Sequence, residues 1–290
     1  MPIWLALAVC ALGLGWAGHD LRRQAAERGV AVIDPRSFRL QTRDEWVLPE
    51  WEEVLGAVLA RAGVFSALDR EAISALTAEV RALPFVAEVG EPEVVWPDGL
   101  LLDLRLRAPV ACVAEPHSGG FLPVASDGMI LPGRSSSPHR AYGGWLPVLE
   151  TSGVACSPGE RLTGATELEA LSVAVSLWDE LAVEAREALG RVRIDATRGV
   201  APDGLPGGIV IDLEQRRRLL FGRAPSAAPP GELPSAFKWA HVARAMKARE
   251  RGEPWDTYDV RWDEPVVLMR VEGGALRVAE GAQMTGAPAR

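Results

Sequence analysis

The sequence predicts an α+β protein in which an N-terminal apolar segment precedes a small α+β domain and a larger mixed α/β domain with a mainly antiparallel sheet. Three observations support this class. Apolar residues recur at helical spacing in four segments, and they alternate at strand spacing in the runs between them. The 290 residues give room for about two domains of ordinary size. The strands come in runs and do not alternate regularly with helices, as is typical of α+β folds.

Composition and charge indicate a folded protein and argue against a nucleic-acid partner. The apolar fraction of 48% and the charged fraction of 24% are those of globular proteins. The net charge is −8, and the longest basic runs, Arg22-Arg23 and Arg216-Arg217-Arg218, lie among residues of mixed charge. A nucleic-acid surface would instead show a basic stripe. We therefore expect no nucleic-acid partner.

The three cysteines are too few for a disulfide framework, and Cys10 lies in an apolar run. Cys112 and Cys156 could pair in an oxidising compartment, but the sequence gives no geometry for the pair. The interpretation that we favour is two buried free thiols.

The N-terminal segment predicts a membrane anchor over residues 1–21, followed by a linker over residues 22–35. Residues 2–18 carry no charge and reach the lower length limit for a helix that spans a bilayer core of about 30 Å. A cleaved signal peptide fits less well because no basic residue precedes the apolar run. Arg22 and Arg23 follow this run, so the positive-inside rule alone would place the following chain in the cytoplasm.

The same segment has a second interpretation as a dinucleotide-binding turn. Gly13–Gly18 fits GxGxxG, and a polar stretch, Val30–Ile33 and Asp34 follow it in the order of a βαβ unit. In that interpretation Asp34 would contact a ribose. The apolar run before Gly13 is long for a strand, and regular strand–helix alternation does not continue past Pro35, which weakens this alternative.

The first domain is predicted over residues 36–108 with the element order β-α-α-β-β. Its two helices carry apolar residues at three- and four-residue spacing, and its last strand alternates leucine with charged residues. The predicted elements are a strand at Phe38 and Leu40, a helix from Pro49 to Gly63, a helix from Asp69 to Pro84, and a hairpin of Val86–Val95 with Leu100–Arg107. Two helices on one face of a three-stranded sheet make a compact small domain.

The second domain is predicted over residues 109–271, and a flexible tail over residues 272–290. The domain consists of short apolar runs, predicted as strands, and two helices with an apolar face. Thr166 is predicted to cap the first of these helices. The predicted strands and helices are Phe121–Ala125, Met129–Leu131, Trp145–Leu149, the helix Thr166–Leu181, Arg193–Asp195, Gly208–Leu213, Arg218–Phe221, the helix Ser235–Arg249, Tyr258–Trp262 and the last strand Val266–Val271.

No arrangement of residues typical of catalysis is visible in the sequence. The four histidines are scattered and form no pair at metal-ligand spacing; they are His19, His117, His139 and His241. Ser118 is adjacent to His117 in a glycine-rich turn, which does not arrange a nucleophile and a base. Cys112 lies on an apparent strand, where packing is the usual role. We predict no catalytic, cofactor-binding or metal-binding residues.

Several short motifs follow one another in a recognisable order. Leu83-Pro84-Phe85-Val86 closes a helix before a hairpin, and Arg107-Ala108-Pro109-Val110-Ala111 follows that hairpin. This order resembles the POTRA domain of the FtsQ/DivIB family of bacterial cell-division proteins. Leu106 stands where the family usually has Glu, so no role of that carboxylate is carried over. Pro123–Leu131 is similar to the hairpin that opens the family's second domain, and Tyr258–Trp262 to its "Ile-Asp-Leu-Arg-Tyr" strand.

The resemblance implies a bitopic protein of the bacterial inner membrane, anchored by residues 2–18, with most of the chain on the periplasmic side. Residues 36–108 would be the POTRA domain and residues 109–271 the FtsQ-like β domain. The implied function is that of a scaffold of the division machinery, which links early and late division proteins during septum formation. It implies no enzymatic activity, cofactor or small-molecule substrate.

The partners implied by the resemblance are FtsB/FtsL-like coiled-coil division proteins, which add a strand to the edge of the last strands. Such an edge offers unpaired N–H and C=O groups to an incoming segment. The residues placed near or on this edge are Tyr258, Arg261, Trp262, Val266, Val267 and Leu268. They could instead simply fill the sheet core. A second class, a POTRA-containing protein of envelope assembly or secretion, would be expected to carry several tandem POTRA units.

Overall fold

The computed structural model describes residues 47–95, 99–115, 119–151, 157–197, 208–225 and 231–270, with short pieces at 16, 20, 24, 32–34, 39–42 and 276–278. Within these residues the protein is a mixed α+β structure with a large, mainly antiparallel sheet, as the sequence predicts. The described residues beyond the N-terminal segment form five helices, where the sequence predicts four. The chain divides into two compact units, Met1–Arg107 and Ala108–Arg290.

The predicted anchor lies outside the described residues except for Trp16 and Asp20, and so does most of the Gly13–Gly18 motif. Among the residues that are described, no helix combines the length and the apolar character needed to cross a bilayer.

From residue 32 onward, the described residues of the first unit form two helices and six short strands. In chain order these are β1 Val32–Ile33, β2 Arg39–Thr42, α1 Pro49–Ala62, β3 Phe65–Ser66, α2 Arg70–Arg81, β4 Val86–Val89, β5 Glu93–Val95 and β6 Gly99–Leu106. Strand β6 is central: β2 pairs with it in parallel, and β4 and β5 pair with it in antiparallel orientation. The sheet around β6 thus has four strands, where the sequence predicts three. Strand β1 pairs antiparallel with β3 in a separate two-stranded sheet.

The helices of this unit start and stop for identifiable reasons. Helix α1 begins at Pro49, whose fixed φ suits the first turn, and ends at Gly63, which has a φ of +64°. Helix α2 is capped by Asp69, whose side chain accepts hydrogen bonds from the backbone N–H groups of Glu71 at 3.1 Å and Ala72 at 3.0 Å. The core ring pair is Trp51 stacked on Phe85, with centroids 5.0 Å apart. These contacts confirm both helices predicted from apolar spacing.

The predicted strand Val86–Val95 is interrupted in the structure. The backbone N–H of Gly90 donates to the carbonyl oxygen of Asp103 at 2.8 Å, and a Cβ at Gly90 would lie 3.3 Å from that of Asp103. Pro92 follows and has no N–H to donate to the ladder. The chain therefore forms two separate strands, β4 and β5, which both pair with β6.

The second unit contains three helices and eleven strands among its described residues. In chain order these are β7 Pro109–Ala114, β8 Phe121–Ala125, β9 Arg140–Ala141, β10 Gly144–Trp145, β11 Val148–Leu149, α3 Ala165–Glu180, α4 Val183–Leu189, β12 Val192–Asp195, β13 Ile209–Leu213, β14 Arg218–Gly222, α5 Ser235–Glu250, β15 Thr257–Asp259, β16 Val266–Arg270 and β17 Leu276–Val278. Nine of the strands form one sheet in the order β17-β16-β15-β14-β13-β12-β11-β7-β8.

One face of this large sheet packs on the helices. Side chains alternate along each strand, so Ile211, Leu219 and Tyr258 belong to the helix-facing core together with Trp239 and Val242 of α5. The indole Nε1–H of Trp239 donates to the hydroxyl of Ser176 on α3 at 2.9 Å, which satisfies both buried polar groups. The helix-facing core thus joins α3 and α5 to the strands at the β14–β15 end of the sheet.

The structure of this unit differs from the sequence-based predictions in several places. Helix α3 begins after Gly164, and Thr166 lies inside its first turn without capping it. Helix α4 was not predicted. The last strand is not Val266–Val271, because β17 pairs antiparallel with β16 from inside the predicted tail.

Candidate functional site

The candidate site is the C-terminal edge of the large sheet, formed by β15, β16 and β17. Strands β15 and β16 pair antiparallel, with Tyr258 opposite Val267 and Thr257 opposite Leu268. Strand β17 then pairs with the second half of β16, with Val278 opposite Leu268. Within the part of the chain that the structure describes, β17 is the outermost strand at this end of the sheet.

Two hydrogen bonds between Asp256 and β16 show in which direction the backbone groups of β16 point. The Asp256 backbone N–H donates to the carbonyl oxygen of Leu268 at 3.1 Å, and the Arg270 N–H donates to Asp256 Oδ2 at 2.6 Å. Backbone groups of successive residues in an antiparallel strand point to opposite sides. The N–H and C=O groups of Val267 and Met269 therefore point away from β15, toward the outer edge.

The six residues expected at this edge fall into two groups. Tyr258, Arg261 and Leu268 are buried, with exposed fractions of 1%, 3% and 7%. Val266 and Val267 are half-buried, and Trp262 is 40% exposed. The side chains within reach of a partner are therefore those of Trp262 and the two valines.

Tyr258 fills the core under the edge. Its ring meets Trp255 edge to face, with centroids 5.7 Å apart, and it belongs to the cluster that packs on the helices. Burial raises the pKa of the Tyr258 hydroxyl, partly offset by the positive charge of Arg244. The phenol is thus neutral at physiological pH and acts as a packing group.

Arg261 is held by a paired hydrogen bond inside the protein. Its Nε donates to Asp259 Oδ1 at 2.8 Å and its Nη2 donates to Asp259 Oδ2 at 2.6 Å. The backbone N–H of Arg261 also donates to Asp259 Oδ1 at 3.1 Å. The hydrogen bond to this carboxylate raises the pKa of the Arg261 guanidinium, against the opposing effect of its burial. These hydrogen bonds therefore fix the backbone at Arg261, the residue directly before the exposed Trp262.

A second buried ion pair lies beside the first. Lys238 on α5 is 1% exposed, and its Nζ donates to Glu232 Oε2 at 2.6 Å and to the carbonyl oxygen of Arg223 at 3.2 Å. The same Glu232 oxygen accepts the backbone N–H of Arg223 at 3.0 Å. The backbone N–H of Leu233 donates to the carbonyl oxygen of Arg261 at 2.9 Å. The start of α5, the end of β14 and the segment after β15 are thereby connected.

We call Glu232, Lys238, Asp259 and Arg261 the buried charge cluster. Its two positive and two negative groups balance, which is the condition under which buried charges are tolerated. Its position indicates a structural role: it fixes the backbone from which Trp262 and β16 project.

Gly222 is required by this cluster. Its φ is +81°, and a Cβ there would lie 2.6 Å from both carboxylate oxygens of Glu232 and 2.8 Å from Cδ of Arg261. We expect Gly222→Ala to lower the free energy of unfolding by about 1–2 kcal/mol from the positive φ alone, with a further loss from the displaced ion pair. Urea denaturation measures the change. Gly252→Ala is the matched control, since its φ is +76° but no atom lies within 4 Å of its Cβ position. Equal losses in the two variants would contradict the steric role.

Arg261 is the one member of this cluster that the sequence predicts as a site residue; Glu232, Lys238, Asp259 and Gly222 were not expected to meet. The spacing of Asp259 and Arg261, two apart on a strand, could have suggested that they share a face. Nothing in the sequence indicated that Glu232, in a proline-rich loop, would meet Lys238.

Three observations on the described residues bear on possible chemistry. They contain no group of three or more His, Cys, Asp or Glu side chains suited to hold a metal ion. Cys112 is a buried free thiol, and burial raises its pKa to about 12, so it is not a nucleophile at neutral pH. Burial and the charge of Arg244 lower the pKa of His241. Cys156, His117 and Ser118 lie outside the described residues.

Comparison with known proteins gives no assignment. No protein-family model matches the sequence, and no curated protein matches it.

Proposed function

We propose that this chain is a bitopic envelope scaffold of the bacterial division machinery, which links early and late division proteins through contacts at the C-terminal edge of its large sheet. Its partners are FtsB/FtsL-like coiled-coil proteins, bound by strand addition. The observation that carries the proposal is the outward direction of the Val267 backbone groups on β16. Trp262, which is 40% exposed, lies in the bend that leads into β16. An incoming strand would pair with those groups and cover that ring.

The first unit supports the proposal through its element order. Two helices and a sheet centred on β6 fit the POTRA interpretation of residues 36–108, with the added pair of β1 and β3. In this proposal residues 2–18 anchor the chain in the inner membrane, and the rest lies on the periplasmic side.

The buried charge cluster explains how the edge can be rigid before a partner arrives. Binding of a partner strand costs less conformational entropy when the backbone that receives it is already ordered. Lys238 holds the segment before α5 and Arg261 the segment after β15, through ion pairs whose side chains are at most 7% exposed. The docking edge is therefore pre-organised, and Trp262 is presented at a constant position.

Val267→Pro tests strand addition directly. Proline removes the outward N–H of Val267, so we expect at least a tenfold loss of partner retention in co-purification with the FtsB/FtsL-like proteins of the same organism. The fold should persist because the Val267 N–H points away from β15, so no hydrogen bond between β15 and β16 is lost. Circular dichroism checks the fold.

The matched control is Leu268→Pro, one residue along the same strand. The Leu268 backbone faces β15, so this change removes a ladder hydrogen bond inside the sheet and should lower stability. Unchanged retention in a folded Val267→Pro variant would exclude strand addition at β16.

The dinucleotide-binding alternative has one observation bearing on it. Val32–Ile33, the strand before Asp34, forms an antiparallel pair with Phe65–Ser66, whereas a βαβ unit uses parallel strands. Carbonate-wash fractionation of cells, combined with a dinucleotide titration, separates an anchored scaffold from a nucleotide-binding protein.

A further inference from the structure

The protein's own strand β17 lies where the proposed partner would bind. It pairs antiparallel with Leu268–Arg270 of β16, with Met269 opposite Arg277. The outward backbone groups of Met269, which an added strand would need, thus face a segment of the same chain. A partner can pair with the whole of β16 only after β17 has left.

Strand β17 is three residues long, and two of its side chains bury little surface. The side chain of Val278 is 63% exposed, and that of Arg277 is also exposed. By contrast, all three residues of β15, on the other side of β16, are buried. Because stability in a sheet comes mostly from buried side-chain contacts, removing β17 costs far less than removing β15.

A short, exposed strand at an edge is also a recognised means of blocking unwanted pairing. An uncovered edge would pair with other chains and promote aggregation. Covering β16 with a weakly held strand protects the edge in the free protein and leaves it accessible to a partner whose strand is longer and better packed.

We propose that β17 is a displaceable autoinhibitory strand, which competes with the partner's strand for the outer edge of β16. This inference rests on the proposed function, since it concerns the same edge. Its consequence is that the apparent dissociation constant equals the intrinsic constant divided by the fraction of molecules with β17 displaced. If β17 occupies the edge in nine molecules of ten, its removal strengthens binding about tenfold.

The parent protein in this test is the full chain carrying Cys10→Ser and Cys156→Ser, so that the buried Cys112 is its one remaining cysteine. One variant ends after Arg270 and lacks β17. A second carries Met269→Cys and Arg277→Cys, which face each other across the two strands and can be joined by a disulfide. Binding to the purified FtsB/FtsL-like partner is measured for the parent, the truncated chain, and the double-cysteine chain before and after reduction.

The proposal expects about tenfold tighter binding by the truncated chain and at least tenfold weaker binding by the oxidised double-cysteine chain, with recovery on reduction. The reduced chain is its own control for the two substitutions. Equal binding by the oxidised and reduced chains would overturn the competition and leave the proposed function intact, since the partner strand would then pair at this edge without displacing β17. Failure of every variant, the parent included, to bind would instead overturn the proposed function.

Discussion

Replacing Lys238 with methionine is expected to destabilise the second unit by about 3–5 kcal/mol. The methionine keeps most of the side-chain volume, so the loss is electrostatic: Glu232 would remain buried beside the Arg223 backbone without its positive partner. Such an uncompensated charge costs more than the intact pair contributes. Urea denaturation followed by circular dichroism measures the change.

A second variant separates charge from packing at this position. In the double variant Lys238→Met with Glu232→Gln, the buried charge is gone and the glutamine oxygen still accepts the Arg223 N–H, so the protein should be more stable than with Lys238→Met alone. The exposed pair of Arg251 and Glu253, with side chains 54% and 45% exposed, provides a reference. If Lys238→Met costs no more than Arg251→Met, Lys238 has no such role.

Replacing Asp259 with alanine is expected to cost a similar amount and also to weaken partner binding. Arg261 would lose the acceptor of its Nε, Nη2 and backbone N–H groups while remaining 3% exposed. The guanidinium would then lose the carboxylate that fixes its position, and we expect the chain that carries Trp262 to shift. We expect a loss of about 3–5 kcal/mol in unfolding free energy together with reduced co-purification of the partner.

The matched control for Asp259→Ala is Glu150→Ala on the same sheet. Glu150 accepts from Arg193 at 2.9 Å, but the two side chains are 37% and 57% exposed. Exposed pairs contribute at most about 1 kcal/mol, and this one is distant in strand order from β16. Equal effects of the two changes on partner binding would show that loss of an ion pair, rather than release of the edge, explains the result.

Much of the fold could be predicted because its signals are local. Leu102, Leu104 and Leu106 alternate with polar residues, and all three are buried in β6. The caps at Asp69 and Gly63 likewise mark the ends of their helices. These features depend on residues within one turn or one strand, where spacing and side-chain chemistry decide the structure.

The rest depends on distant contacts or on segments too short to show a period. Leu276–Val278 has three residues, which cannot display strand alternation, and its pairing depends on β16. Gly164 precedes α3 without a side-chain cap, so Thr166 was the stronger local signal and was wrong. At the candidate site, the resemblance predicts that Tyr258 contacts the partner, but the structure buries it in the core that includes α5. No local pattern in the sequence encodes that packing.

Hydrogen exchange of the β16 amides, measured residue by residue with and without the partner, tests the docking edge most directly. The account predicts that partner binding slows exchange of the outward Val267 amide at least tenfold, whereas the Leu268 amide, which faces β15, changes little. An unchanged Val267 rate in the partner-bound protein would contradict strand addition at this edge.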